Sequence, residues 1–216
     1  MKNKIGDFEI PEISFPFDAE EELKHYLSVS GSDRGVESVA IMGVQDPELV
    51  RVDSKWLRVY AALSYLKANI AGAEANQDEL PVTYLAFALN DLGKVDEAVD
   101  LLSQLEKRGV KSLWTDMDDE NPPYISACML LDAGRGKEAL PYFERALTDR
   151  KNKKQDHIWI NLVLIHHELG NFEEALKIYK DILSAIEARK PDLTYWEDSL
   201  SSKKFKILSH LQEKAK

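Results

Sequence analysis

Six consecutive residues, Asp116-Met117-Asp118-Asp119-Glu120-Asn121, have the carboxylate density of a calcium loop. Such a loop also needs a glycine at its sixth position for the sharp turn and a bidentate Glu at its twelfth. Those positions hold Asn121 and Ala127, so the run reads as a solvated acidic loop. His25, His157, His166, His167 and His210 are never four residues apart, the spacing by which one helix presents two imidazoles to a zinc ion. His166 and His167 are adjacent and would point about 100° apart on a helix. His166 falls at a core position, where a hydrogen-bonded interior histidine is expected. Cys128 is the single cysteine, so neither an intrachain disulfide nor a cysteine-based metal site can form within the chain. No glycine-rich phosphate loop and no local Ser, His and Asp motif occurs. The expectation is a protein that is not an enzyme, with no catalytic residue, metal or cofactor.

Charge excludes a further class. The formal net charge is −10, from 38 acidic against 28 basic residues, which disfavours a polyanion as partner. The densest basic run, residues 150–154, is short and has no interleaved aromatics, so it reads as another solvated loop. Residues 1–18 contain two lysines but no apolar run of signal-peptide length, being interrupted by Asp7, Glu9 and Glu12. No stretch approaches the ~18 uncharged apolar residues of a membrane span. These features predict a soluble, cytoplasmic protein that binds neither nucleic acid nor membrane.

The elements that would position such residues emerge from a repeat. Three segments share a glycine step followed by an acidic-alanine step: residues 91–98 (DLGKVDEA), 132–139 (DAGRGKEA) and 168–175 (ELGNFEEA). Gly93, Gly134 and Gly170 lie 41 and 36 residues apart, a period of helix-pair size. A helix is expected to end at each glycine, which enters the left-handed conformation without a Cβ penalty. A second helix should begin two or three residues later, and Asn171 with Glu174 fits a capping box. Ala98, Ala139 and Ala175 then lie one turn into the second helix, where a small side chain lets two antiparallel helices approach to ~8–10 Å.

This pattern resembles the tetratricopeptide repeat (TPR) family, over about residues 79–188. With the three glycines at the family's turn position, the small residue of the first helix is Ala86, Ala127 and Val163. The large apolar position of the second helix is Leu102, Phe143 and Tyr179, and the next packing position is Leu105, Ala146 and Ile182. Trp159 and Leu162 match the family's opening residues in the third unit. Pro123 and Ser126 depart from them in the second, His166 replaces an apolar or tyrosine residue, and the closing proline is absent throughout. The resemblance implies an all-α, right-handed α-solenoid of antiparallel helix pairs without a β-sheet.

The domain plan is an extended N-terminal arm (1–17), N-terminal helices (18–78), three repeats (79–190) and a C-terminal capping helix (191–216). The arm contains Phe8, Ile10, Ile13, Phe15 and Phe17, while Pro11 and Pro16 forbid a continuous helix. It either packs along the chain's own helices or is partly disordered, or else it occupies a groove in its own or a neighbouring subunit. Residues 44–75 read equally as a decayed repeat, with Ala61, Tyr65 and Ala68 at second-helix spacing, or as one long helix from Lys55 to Ala75 preceded by a short one from Arg34. In the last segment Leu193, Trp196, Leu200, Ile207 and Leu211 form one apolar stripe, as a solenoid end requires.

The resemblance also implies where a partner would sit. In TPR arrays the first helices line the concave face, here through Thr83, Phe87 and Asn90, then Tyr124, Cys128 and Leu131, then Ile160, Leu164 and His167. The positions with which relatives clamp an acidic tail are Thr83, Phe87, Ile125, His157 and Asn161, which offer a carboxylate no cation. The expected function is a protein-protein interaction module (adaptor, scaffold or chaperone-like) that takes a protein or peptide with apolar anchors. The alternative is a structural subunit of a stable complex or homo-oligomer with that face buried.

Overall fold

The computed structural model describes residues 3–30, 35–70, 79–111, 113, 121–147, 156–187, 210 and 213. The chain divides into two compact units, residues 1–129 and 130–216. The described residues are overwhelmingly helical, as an all-α helical repeat requires. The C-terminal capping helix lies outside the described residues apart from His210 and Glu213, as do Trp114, the acidic run at 116–120 and the basic run at 150–154.

Among the described residues, the one departure from helix and loop is the pair of strands that opens the first unit. β1 (Asn3–Ile5) pairs antiparallel with β2 (Phe8–Ile10), placing Asn3 opposite Ile10 and Ile5 opposite Phe8. The expectation of no β-sheet is corrected here. Prolines 11 and 16 exclude a helix but not a hairpin, and Gly6, at φ 57°, supplies the positive φ that a two-residue hairpin turn demands. The arm packs along its own chain: Phe8 and Ile10 are buried in the unit's core, and Ile13 and Phe15 pack against it.

α1 (Ala19–Val29) starts at Asp18, whose Oδ1 accepts the Glu21 N–H at 3.0 Å. Glu22 is buried on this helix at 5% exposure. Its Oε1 accepts the Arg51 backbone N–H at 2.8 Å and its Oε2 accepts Arg51 Nε at 3.0 Å. Burial pushes the carboxyl upward, but Arg51 more than compensates and holds it below the usual glutamate range.

α2 (Val36–Met42) is too short to be stable alone, and α3 (Ser54–Ile70) supplies what it lacks. Arg58 of α3 donates from Nε to the Ala40 carbonyl at 3.3 Å and from Nη2 to the Ile41 carbonyl at 2.6 Å, satisfying the last turn of α2. The same guanidinium pairs with Asp91 at the end of α4 (Glu79–Asp91). One side chain therefore ties three helices. Between α2 and α3 a single 3₁₀ turn spans Pro47–Leu49. α3 packs against both α2 and α4, and α4 against α5 (Val95–Lys107). A short helix before a long one is thus what residues 36–70 form, and the short one pairs with the long one.

α6 (Pro122–Asp132) spans the division between the units. The second unit contains α7 (Gly136–Ala146), α8 (Asp156–Glu168) and α9 (Phe172–Glu187), with α8 packed against both neighbours.

The three repeat turns are built alike, atom for atom. Gly93, Gly134 and Gly170 have φ of 81°, 75° and 78°. Their N–H groups donate three residues back, to Asn90, Leu131 and His167, at 2.8, 2.9 and 3.1 Å. The next residues, Lys94, Arg135 and Asn171, donate five residues back, to Leu89, Leu130 and His166, each at 2.8 Å. This is the Schellman pair that closes a helix. The carbonyls of the same three residues then accept from Ala98, Ala139 and Ala175 at 3.1, 3.0 and 3.0 Å, opening the next helix. The capping box expected at Asn171 is corrected: its N–H is taken by His166, and Glu174 pairs instead with Lys177 Nζ at 3.3 Å.

Packing positions agree across the copies. Ala98, Ala139 and Ala175 are fully buried, as are Ala86, Ala127 and Val163, and Leu102, Phe143 and Tyr179 are buried beside them.

Candidate protein-binding surface

The nine first-helix positions do not share one environment. On α4, Thr83 is fully buried, and its hydroxyl donates to the Glu79 carbonyl one turn back at 2.9 Å. Ile160 and Leu164 on α8 are buried at 7% and 3% exposure. These three side chains serve packing in this structure. The physical reason is that α4 and α8 are apolar around almost their whole circumference, and such helices are covered on most sides.

The remaining positions are half-buried: Phe87 and Asn90 on α4, Tyr124, Cys128 and Leu131 on α6, and His167 on α8. Phe87 and Tyr124 both pack against the core of the first unit while keeping part of their rings accessible. The His167 ring stands edge-on to Phe172, with centroids 5.1 Å apart across the turn. His166 is half-buried, but its Nδ1 is enclosed without a hydrogen-bond partner among the described residues, which corrects the expectation of a satisfied interior histidine.

The helices that carry these positions, α4, α6 and α8, contain no lysine or arginine. Tyr65 donates to Glu37 Oε1 at 2.8 Å and stands 6.1 Å from the Tyr84 ring. Burial, then the Glu37 carboxylate, pushes the Tyr65 phenol up to about 12 and raises that of Tyr84 as well. Both phenols therefore stay protonated well above physiological pH. Among the described residues no three His, Cys, Asp or Glu side chains gather to hold a metal, and no helix is long and apolar enough to cross a membrane.

Other features were not visible in the sequence pattern. Met42, Leu80 and Phe172 are exposed by 58%, 40% and 56%. Each sits at a helix end, where helical periodicity carries little information. Gln104 on α5 and Arg108 at its C-terminal cap look like ordinary solvated residues of an amphipathic helix, yet both hold the N-terminal arm. Their partners lie 95 to 101 positions away in the chain (Glu9 from Gln104, Asp7 from Arg108), so no local pattern could indicate them.

The tetratricopeptide repeat family model matches residues 130–192, under a third of the chain. No curated protein matches the chain. The match covers α7 to α9 with the turns at Gly134 and Gly170, and the turn at Gly93 has the same hydrogen bonds upstream of it.

Proposed function

Since the chain contains tetratricopeptide repeats, which generally mediate protein-protein interaction, we propose that it is a non-catalytic adaptor, scaffold or chaperone-like module that binds a peptide with apolar anchors on its first helices. The observation that carries this reading is the pair of half-buried aromatics, Phe87 on α4 and Tyr124 on α6, on helices that offer no cation to a carboxylate. In the first unit the contact surface centres on Phe87, Asn90, Tyr124 and Cys128. In the second it is narrowed to Leu131 and His167, because Ile160 and Leu164 are buried. Thr83 is a packing residue for the same reason.

Burying both rings is worth ~3–6 kcal/mol before the cost of ordering the ligand, short of the ~8 kcal/mol of micromolar binding, so that affinity needs further contacts along the helices. The test is affinity purification from the native host with mass spectrometry, comparing wild type with Phe87→Asp and Tyr124→Asp. Loss of the same partner from both variants, with helical circular dichroism intact, is the expected result. Leu164→Asp is unsuitable, because a carboxylate at a buried position unfolds the repeat. Capture that survives both substitutions removes the site from this face. A wild-type chain that is a stable homo-oligomer shielding Phe87 would favour the structural-subunit alternative.

A further inference from the structure

From Phe8 the arm runs without helix to a bend at Pro16 and Phe17, with Phe8 and Ile10 buried, Pro11, Ile13, Phe15 and Phe17 half-buried, and Glu9, Glu12, Ser14 and Pro16 exposed. Seated and exposed side chains alternate over Phe8–Ile10 and again over residues 11–17, with the register shifting by one at Pro11, so the arm presents two short stretches to its seat. The seat recognises the main chain as well. The Glu9 N–H donates to Gln104 Oε1 at 2.8 Å, and Gln104 Nε2 donates back to the Glu9 carbonyl at 2.9 Å. A carboxamide in this position reproduces the donor-acceptor pair of a neighbouring strand. The amide is steadied by Asp100 Oδ2, 3.4 Å from Nε2.

Recognition continues on either side. Arg108 lies 4.5 Å over the Phe8 ring and 3.6 Å from the Asp7 carboxylate, so one guanidinium reads an aromatic and the acid before it. Further along, Phe15 packs edge-on against Trp56 and Tyr60 of α3, at 5.7 and 5.3 Å between centroids. A two-stranded hairpin with strands of three residues has no stability of its own, so this seat is what keeps the arm in place.

We infer that the α3 and α5 surface of the first unit is a second peptide site, occupied in cis by the arm. Its natural occupant in trans is an extended segment of a partner protein with the pattern acidic, aromatic, any residue, aliphatic, as in Asp7-Phe8-Glu9-Ile10. Arg108 favours such a segment, first through the aromatic ring beneath it and secondarily through charge complementarity with the exposed acidic position. The arm acts as an autoinhibitory strap that this partner must displace. The site uses none of the first-helix residues and stands independently of the function proposed above.

The test uses full-length chain and a fluorescent peptide of residues 5–17. In the variant Phe8→Ser with Ile10→Ser the cis arm is released, and peptide affinity is expected to rise at least about tenfold over wild type. Adding Gln104→Leu should lower it about fivefold or more, and a scrambled peptide should not bind. In wild type, saturating peptide should move the Phe8 to Ile10 amide signals toward random-coil positions, a readout that stands if the released variant fails to fold. The inference is overturned if a helical released variant gains no affinity, if Gln104→Leu changes nothing, or if the wild-type arm signals stay in place. Sedimentation showing that wild-type mass doubles with concentration through exchanged arms would assign the seat to a second copy and equally overturn it.

Discussion

Two glycines two residues apart should respond to the same substitution with opposite signs. Gly134 has φ 75°, and a Cβ built on it meets nothing within 4 Å. Gly134→Ala therefore adds no clash, and its whole cost is that of the left-handed backbone, about 1–2 kcal/mol. Reduced freedom of the unfolded chain offsets about 0.4–1 kcal/mol of this, leaving a net loss of about 1 kcal/mol. Gly136 is the first residue of α7, without positive φ, and its Cβ would stand 3.9 Å from Ile165 Cγ2, an ordinary contact. Gly136→Ala should then stabilise by about 0.5 kcal/mol, less than the mid-helix difference because the site is terminal. Gly93→Ala and Gly170→Ala, also at positive φ with open space, should cost the same as Gly134→Ala. Urea titrations followed by circular dichroism would measure these differences, and in a chain of this size 1 kcal/mol moves Tm by about 2–4 °C. A loss above about 3 kcal/mol at any of the three turns, or destabilisation by Gly136→Ala, would refute the reasoning from the shared turn.

Glu22→Gln should cost about 2 kcal/mol at neutral pH, since it weakens a charge-assisted pair at a buried site, and equilibrium unfolding reads this directly. Because the folded carboxyl titrates below its usual 4.5, the unfolded chain binds that proton first; the contribution is present above 4.5 and fades as pH falls through the folded value, so the variant should show a flatter acid limb. Ala139→Glu places an unpaired carboxylate at a fully buried position and should cost several kcal/mol, seen as loss of hydrogen-exchange protection in α7 and α8.

The repeat was legible because each of its signals is local. A glycine that must be left-handed and an alanine that must be small both show within eight residues, and all three copies have them. The arm's apolar residues were legible as a set that must be covered, but not the hairpin, which turns on Gly6 and Asp7 alone. Glu22 stands in the run Glu20-Glu21-Glu22, and nothing local distinguishes the one that turns inward to Arg51. The open face of the first helices was only half legible. Where α4 and α8 are apolar all round, periodicity cannot say which side chains are left accessible, and the assignment of Thr83, Ile160 and Leu164 came from family position rather than from their own surroundings.

Lys94, Arg135 and Asn171 each belong to two helices at once, closing one through the N–H and opening the next through the carbonyl. A residue inserted or deleted there would unmake both ends together, so the joint inside a helix pair has a fixed length. Changes of length are left to the connections between pairs, where the glycine spacing already differs, 41 residues in one interval and 36 in the next. For protein engineering this sorts the loops into two kinds. A tag or reporter domain spliced beside Gly93, Gly134 or Gly170 would separate two helices that share a residue, whereas one spliced between α5 and α6 would lengthen a connection that no such shared residue fixes.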